Sequence, residues 1–71
     1  MTQDQYAELL TTVSHMRDAA AALSQSMALF AASEKDAIRH STFMRLHMAC
    51  NDCAIGLKHA IDAAPTMVAP Q

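Results

Sequence analysis

Residues 6–30, YAELLTTVSHMRDAAAALSQSMALF, decide the fold. Taken in steps of three and four they give Tyr6, Leu9, Val13, Met16, Ala20, Leu23, Met27 and Phe30, with no polar residue among them. Apolar residues at that spacing form one stripe along an α-helix, so the stretch predicts a helix that packs lengthwise against other helices. A second row, Ala7, Ser14, Ala21 and Ala28, runs beside the stripe, and its small side chains would let another helix approach closely. Thr11, Asp18 and Gln25 mark the solvated back of the same helix.

Working outward, Thr2 followed by Gln5 fits a capping box, and Asp4 suits the positive end of a helix. The first helix is therefore expected over about residues 3–31, roughly 40 Å at ~1.5 Å per residue. Ser33-Glu-Lys-Asp36 reads as a second capped start. Carrying the first register past Phe30 would put Glu34, Ser41, Asn51 and Lys58 on the stripe, whereas the apolar row is Phe43, Leu46, Cys50, Cys53, Leu57, Ala60 and Ala64. A turn near Ala31 to Ser33 accounts for both the cap and the phase break. The second helix is expected over about residues 34–63, with Pro65 ending it and residues 65–71 forming a flexible tail. Residues 1–64 thus make one antiparallel helical hairpin.

Composition agrees with an all-α class. Of 71 residues, 52% are apolar, but there are one Tyr, two Phe and no Trp, and only one Gly and two Pro. That is too little turn chemistry for a β fold. A chain this short gains little from one core, so the hairpin is expected to dimerise into a four-helix bundle.

Charge and targeting signals exclude several roles. Net charge is −2, and Arg17, Lys35, Arg39, Arg45 and Lys58 are scattered among acids. This is no basic face for nucleic acid and no cationic amphipathic helix for a membrane surface. No apolar run is long enough to span a bilayer, and the acidic, polar Met1 to Gln5 is not a secretion signal. Two closely spaced Cys in a helical pattern fit reduced thiols and a cytoplasmic setting.

One cluster suggests chemistry: His47-x-x-Cys50-x-x-Cys53, with Met44, Met48 and His59 nearby. Imidazole and thiolate bind zinc, and thiolate with thioether suits Cu(I). Over this one turn the chain is similar to the four-helix-bundle copper-storage proteins, which carry many more Cys. That similarity implies metal handling by His47, Cys50 and Cys53 as the alternative function. Residues three apart fall about 60° back around a helix, so His47 and Cys53 diverge by roughly 120° and a closed site would need a second chain. The reading preferred here is that Cys50 and Cys53 are small core residues. His15, His40, His47 and His59 do not converge; His40 and His47 flank the second stripe, and Asp36 stands where it would pair locally with His40. No catalytic triad, phosphate loop or carboxylate pair is present, so neither enzyme activity nor a cofactor is expected.

Met44, Met48 and Ile55 lie outside the second stripe, with Ile38 further along the flank. Apolar groups there await either a self-associated bundle or another protein. Arg45 and Arg39 are placed at the rim of that partner surface. The function expected is a small homodimeric module that binds and modulates or inhibits another protein. Inhibitors and anti-activators of phages and mobile elements are the class-level analogy.

Overall fold

The computed structural model describes residues 1–65, which form two helices and no strand, α1 (Gln3–Ser33) and α2 (Ala37–Ala63). The hairpin measures 16 Å by 14 Å in cross-section over Cα positions. The expected tail at residues 66–71 lies outside the described residues.

The start of α1 follows the capping chemistry. Gln5 N–H donates to Thr2 Oγ1 at 3.1 Å, and Thr2 N–H donates to Gln5 Oε1 at 2.9 Å. Two backbone donors that a helix start leaves open are satisfied reciprocally. The connection differs from expectation. α1 runs to Ser33, whose hydroxyl bonds back to the carbonyls of Leu29 and Phe30, so Ser33 closes the first helix and does not open the second. Asp36 is the N-cap of α2, accepting from Arg39 N–H at 2.9 Å, and α2 starts at Ala37 in place of Glu34. Glu34 accepts from Asp36 N–H at 3.0 Å and pairs with Arg39 at 3.3 Å. The Asp36 backbone donor first, and then Arg39, hold the Glu34 carboxyl below its usual range.

The two helices align by three cross-hairpin hydrogen bonds: Tyr6 to Pro65, Ser24 to His47, and Ala31 to His40. In each pair the two residue numbers add to 71, which fixes the register along the whole rod. The seam that results is Tyr6, Leu10, Val13, Arg17, Ala20, Ser24, Met27 and Ala31 against Phe43, His47, Cys50, Ala54, Leu57, Ile61 and Ala64, all half-buried or buried. Four of the eight residues of the first expected stripe and four of the seven of the second are therefore in the seam. Leu9, Met16, Leu23, Phe30, Leu46, Cys53 and Ala60 are exposed, and the next residue along takes the seam position each time.

The reason is size. Ser24, Ala31 and Ala54 are the buried residues, and no large side chain among those described is fully buried. Small residues at these points let the backbones come close. At Ser24 the contact is polar: His47 Nδ1 lies 2.8 Å from the Ser24 carbonyl, and Ser24 Oγ lies 3.2 Å from the His47 carbonyl. A carbonyl can only accept, so His47 Nδ1 carries the proton and the serine hydroxyl donates in return. One heptad on, His40 Nδ1 donates to the Ala31 carbonyl at 2.8 Å. Asp36 does not hold the His40 ring; it meets His40 through its backbone carbonyl. Among the described residues no buried side-chain polar atom lacks a partner, as a stable interior requires.

Candidate interaction surface

Helical phase sorts the remaining residues into faces. At ~100° per residue, the exposed members of both stripes lie about 80° from the seam. The helices run antiparallel, so these two offsets point to the same broad side of the hairpin. Leu9, Met16, Leu23, Phe30 and Leu46 are each between 44% and 56% exposed there, and Cys53 is exposed among them. The Phe30 and Phe43 rings meet at 5.7 Å between centroids, tilted by 36°, where this face joins the seam.

The other broad side is mixed. It carries the small row Ala7, Ser14, Ala21 and Ala28, with Met44, Asn51 and Lys58 of α2 in the corresponding phase. A groove of about 250 Å³ opens there, with Arg17, Asp18, Asn51 and Lys58 around Ala21 and Ile55. Arg17 pairs with Asp18 at 3.0 Å and Lys58 with Asp62 at 2.9 Å. The Lys58 hydrogen bond is the main cause that lowers the Asp62 pKa. All three ion pairs of the described residues involve exposed groups and add little stability. The small row and the Leu9–Phe30 stripe thus lie on opposite sides, and one docked helix pair cannot cover both. Leu10, His47 and Ile61 sit in the seam and add nothing to either broad side.

The residues assigned to a protein partner divide in the same way. Met44, Met48 and Ile55 fall within about 40° of one another on the outer flank of α2, and Arg45 stands about 60° from Met48. Met48 is 60% exposed, Met44 38% and Ile55 44%. Arg39 is nine residues before Met48, about 180° around the helix, and is engaged by Glu34. It does not belong to the rim of that flank. Leu29 and Ile38, 73% and 78% exposed, add apolar surface near the turn.

The His47–Cys50–Cys53 cluster does not converge. Among the described residues no three His, Cys, Asp or Glu are placed to hold a metal ion. His47 Nδ1 is engaged by Ser24, Cys50 is half-buried in the seam, and Cys53 is exposed on the apolar face. Both thiols are free. Cys50→Ala should cost about 1 kcal/mol of stability, since it trims a small group from a half-buried seam. Cys53→Ala should cost less in an isolated hairpin and about as much if its face is covered. Urea midpoints of the two single variants, measured at one protein concentration, separate these cases. Stoichiometric zinc or copper lost with the thiols would overturn a structural role.

No family model, curated protein or solved structure matches this chain. No described helix is long and apolar enough to cross a membrane.

Proposed function

We propose that the protein is a small helical interaction module that associates with itself through the Leu9–Phe30 and Leu46–Cys53 face. Its outer α2 flank would then bind, and modulate or inhibit, a second protein. One observation carries this reading: five large apolar side chains, Leu9, Met16, Leu23, Phe30 and Leu46, are exposed on one face, while among the described residues the hairpin buries only Ser24, Ala31 and Ala54. An apolar face of that extent on so thin a core needs a cover. At ~1.5 Å per residue α1 is ~46 Å long, and over the 16 Å width the face projects to about 700 Å². Stable interfaces take about 600–1,000 Å² from each partner, so the face falls within the range that a dimer requires.

The target-binding part rests on Met44, Met48 and Ile55, a stripe on the side that self-association leaves open. Methionine adapts its shape to a partner, and Arg45 beside it can take a carboxylate. The module acts by occupancy, with no catalytic step. The class of phage- and mobile-element inhibitors is the nearest functional analogy, and the free thiols suit a reducing cytoplasm.

The test is Met48→Glu. A charge at the centre of the flank should abolish capture of the target from source-cell extract, a loss of ~2 kcal/mol or more for an interface anchor. Self-association by sedimentation and the melting temperature should stay nearly unchanged. Loss of the dimer would exchange the roles of the two faces. No change in either would move the target surface to the turn around Ala32 to Asp36.

A further inference from the structure

The apolar face has three properties that together specify its occupant. The first is neutrality. From Leu9 to Ser33 on α1 and from Thr42 to Ala63 on α2, the positions in this phase hold no Asp, Glu, Lys or Arg. The hydroxyls of Thr12 and Thr42 at its margin are satisfied within their own helices, by the carbonyls of Glu8 and Ile38. A copy of the same face meets no repulsion, and the Thr12 and Thr42 hydroxyls bring no unmet hydrogen bond with them, whereas a charged partner gains nothing.

The second property is Gly56. It sits inside α2, where glycine is disfavoured, and a Cβ built there would meet nothing within 4 Å. Nothing inside the hairpin calls for glycine. Close approach of another helix does, and Ala49, Ala60 and Ala63 extend the same low shelf along α2.

The third is taper. By the cross-hairpin pairing, the α2 side chains shrink from Leu46 near the turn to Gly56, Ala60 and Ala63 toward the open end, while on α1 Leu9, Met16, Leu23 and Phe30 keep the face large throughout. The α2 half of the face is thick at one end and thin at the other. Two such faces stack at even spacing only when one is reversed.

We propose that a second copy docks on this face with its turn at the opposite end, so that α1 lies on the partner's α1 and α2 on the partner's α2. The inference rests on the self-association argued above and adds its face and direction. It also places one residue. Cys53 pairs in height with Asp18, the midpoint of Gln3–Ser33. In the reversed dimer the two copies of Cys53 therefore meet at the two-fold axis, across the shelf where the helices approach most closely.

Oxidation of a single-cysteine protein tests this. Reduced Cys50→Ala protein is treated with diamide. Two Cys53 thiols form one S–S bond while the azo group of diamide takes up their two electrons and two protons. A covalent dimer is expected on a non-reducing gel, and it should be lost when the same reaction is run in urea. A disulfide needs Cα atoms within about 7 Å, so moving the thiol off the axis in C50A/C53A/A60C should slow cross-linking at least about tenfold. Sedimentation of the reduced proteins is measured alongside. A non-covalent dimer in which Cys53 links no faster than the Ala60→Cys thiol overturns the reversed direction and leaves self-association standing. A monomer at micromolar concentration overturns both.

Discussion

Leu23→Asp is expected to dissociate the protein and unfold it in the same transition. Within one hairpin Leu23 is 49% exposed, so a carboxylate there would keep much of its water and cost little. Under a second copy the same carboxylate is desolvated without a partner, a situation that costs about 3–5 kcal/mol. A core from a chain this short supplies only about 3–5 kcal/mol on its own. The substitution therefore removes the margin only if the face is covered. Far-UV circular dichroism and sedimentation, each against concentration, read the outcome. Leu29→Asp is the control: Leu29 is 73% exposed and about 120° around the helix from Leu23, and its substitution should move neither signal. A wild-type monomer with full helicity at micromolar concentration would sink the self-association reading.

The helices and their antiparallel hairpin were legible in the sequence because capping and periodicity act locally. Thr2 and Gln5 predict the start of α1, and the reciprocal bonds form there. The phase break after Phe30 predicts a turn, and the chain turns at residues 34–36. The side of each helix facing its neighbour was half legible. Tyr6, Val13, Ala20 and Met27, like Phe43, Cys50 and Leu57, are in the seam as read. The residues between them are not, because steps of three and four fit two stripes equally well. Reading by hydrophobicity selects Leu9, Met16, Leu23 and Phe30; packing selects Leu10, Arg17, Ser24 and Ala31. Close backbone approach and the two histidine hydrogen bonds favour the second set, and neither is a property of hydropathy. The seven-residue spacing of His40 and His47 was visible, but their acceptors are backbone carbonyls of α1, which residue types do not encode.

The candidate partner surface shows the same division. Met44, Met48 and Ile55 share a stripe because helical phase depends on spacing alone. Arg39, expected at their rim, is not there, because nine residues of helix bring it to the far side. Glu34 then holds it at the turn, and that contact depends on where α2 begins. With Asp36 and not Ser33 as the cap, α2 begins three residues later than expected and Glu34 is freed to reach Arg39.

Ser24→Leu should destabilise the hairpin by about 3 kcal/mol, although serine to leucine inside a helix ordinarily helps or does nothing. Ser24 is 4% exposed and is hydrogen-bonded to His47 of α2 across the seam. Enlarging it forces the helices apart, an overpacking cost of about 1–3 kcal/mol. Leucine also has no hydroxyl, so the 3.2 Å bond to the His47 carbonyl is lost, and separation lengthens the 2.8 Å bond from His47 Nδ1 to the carbonyl of residue 24, each worth about 1 kcal/mol. Ser24→Ala isolates one part: it keeps the approach and the histidine bond to the carbonyl and loses only the hydroxyl, about 1 kcal/mol. Urea midpoints with unchanged slopes should fall in the order wild type, Ser24→Ala, Ser24→Leu. The adjacent residues 23 and 24 then test two faces separately. If Leu23 and not Ser24 faced α2, Ser24→Leu would only add apolar surface to a flank, and the midpoint would stay or rise.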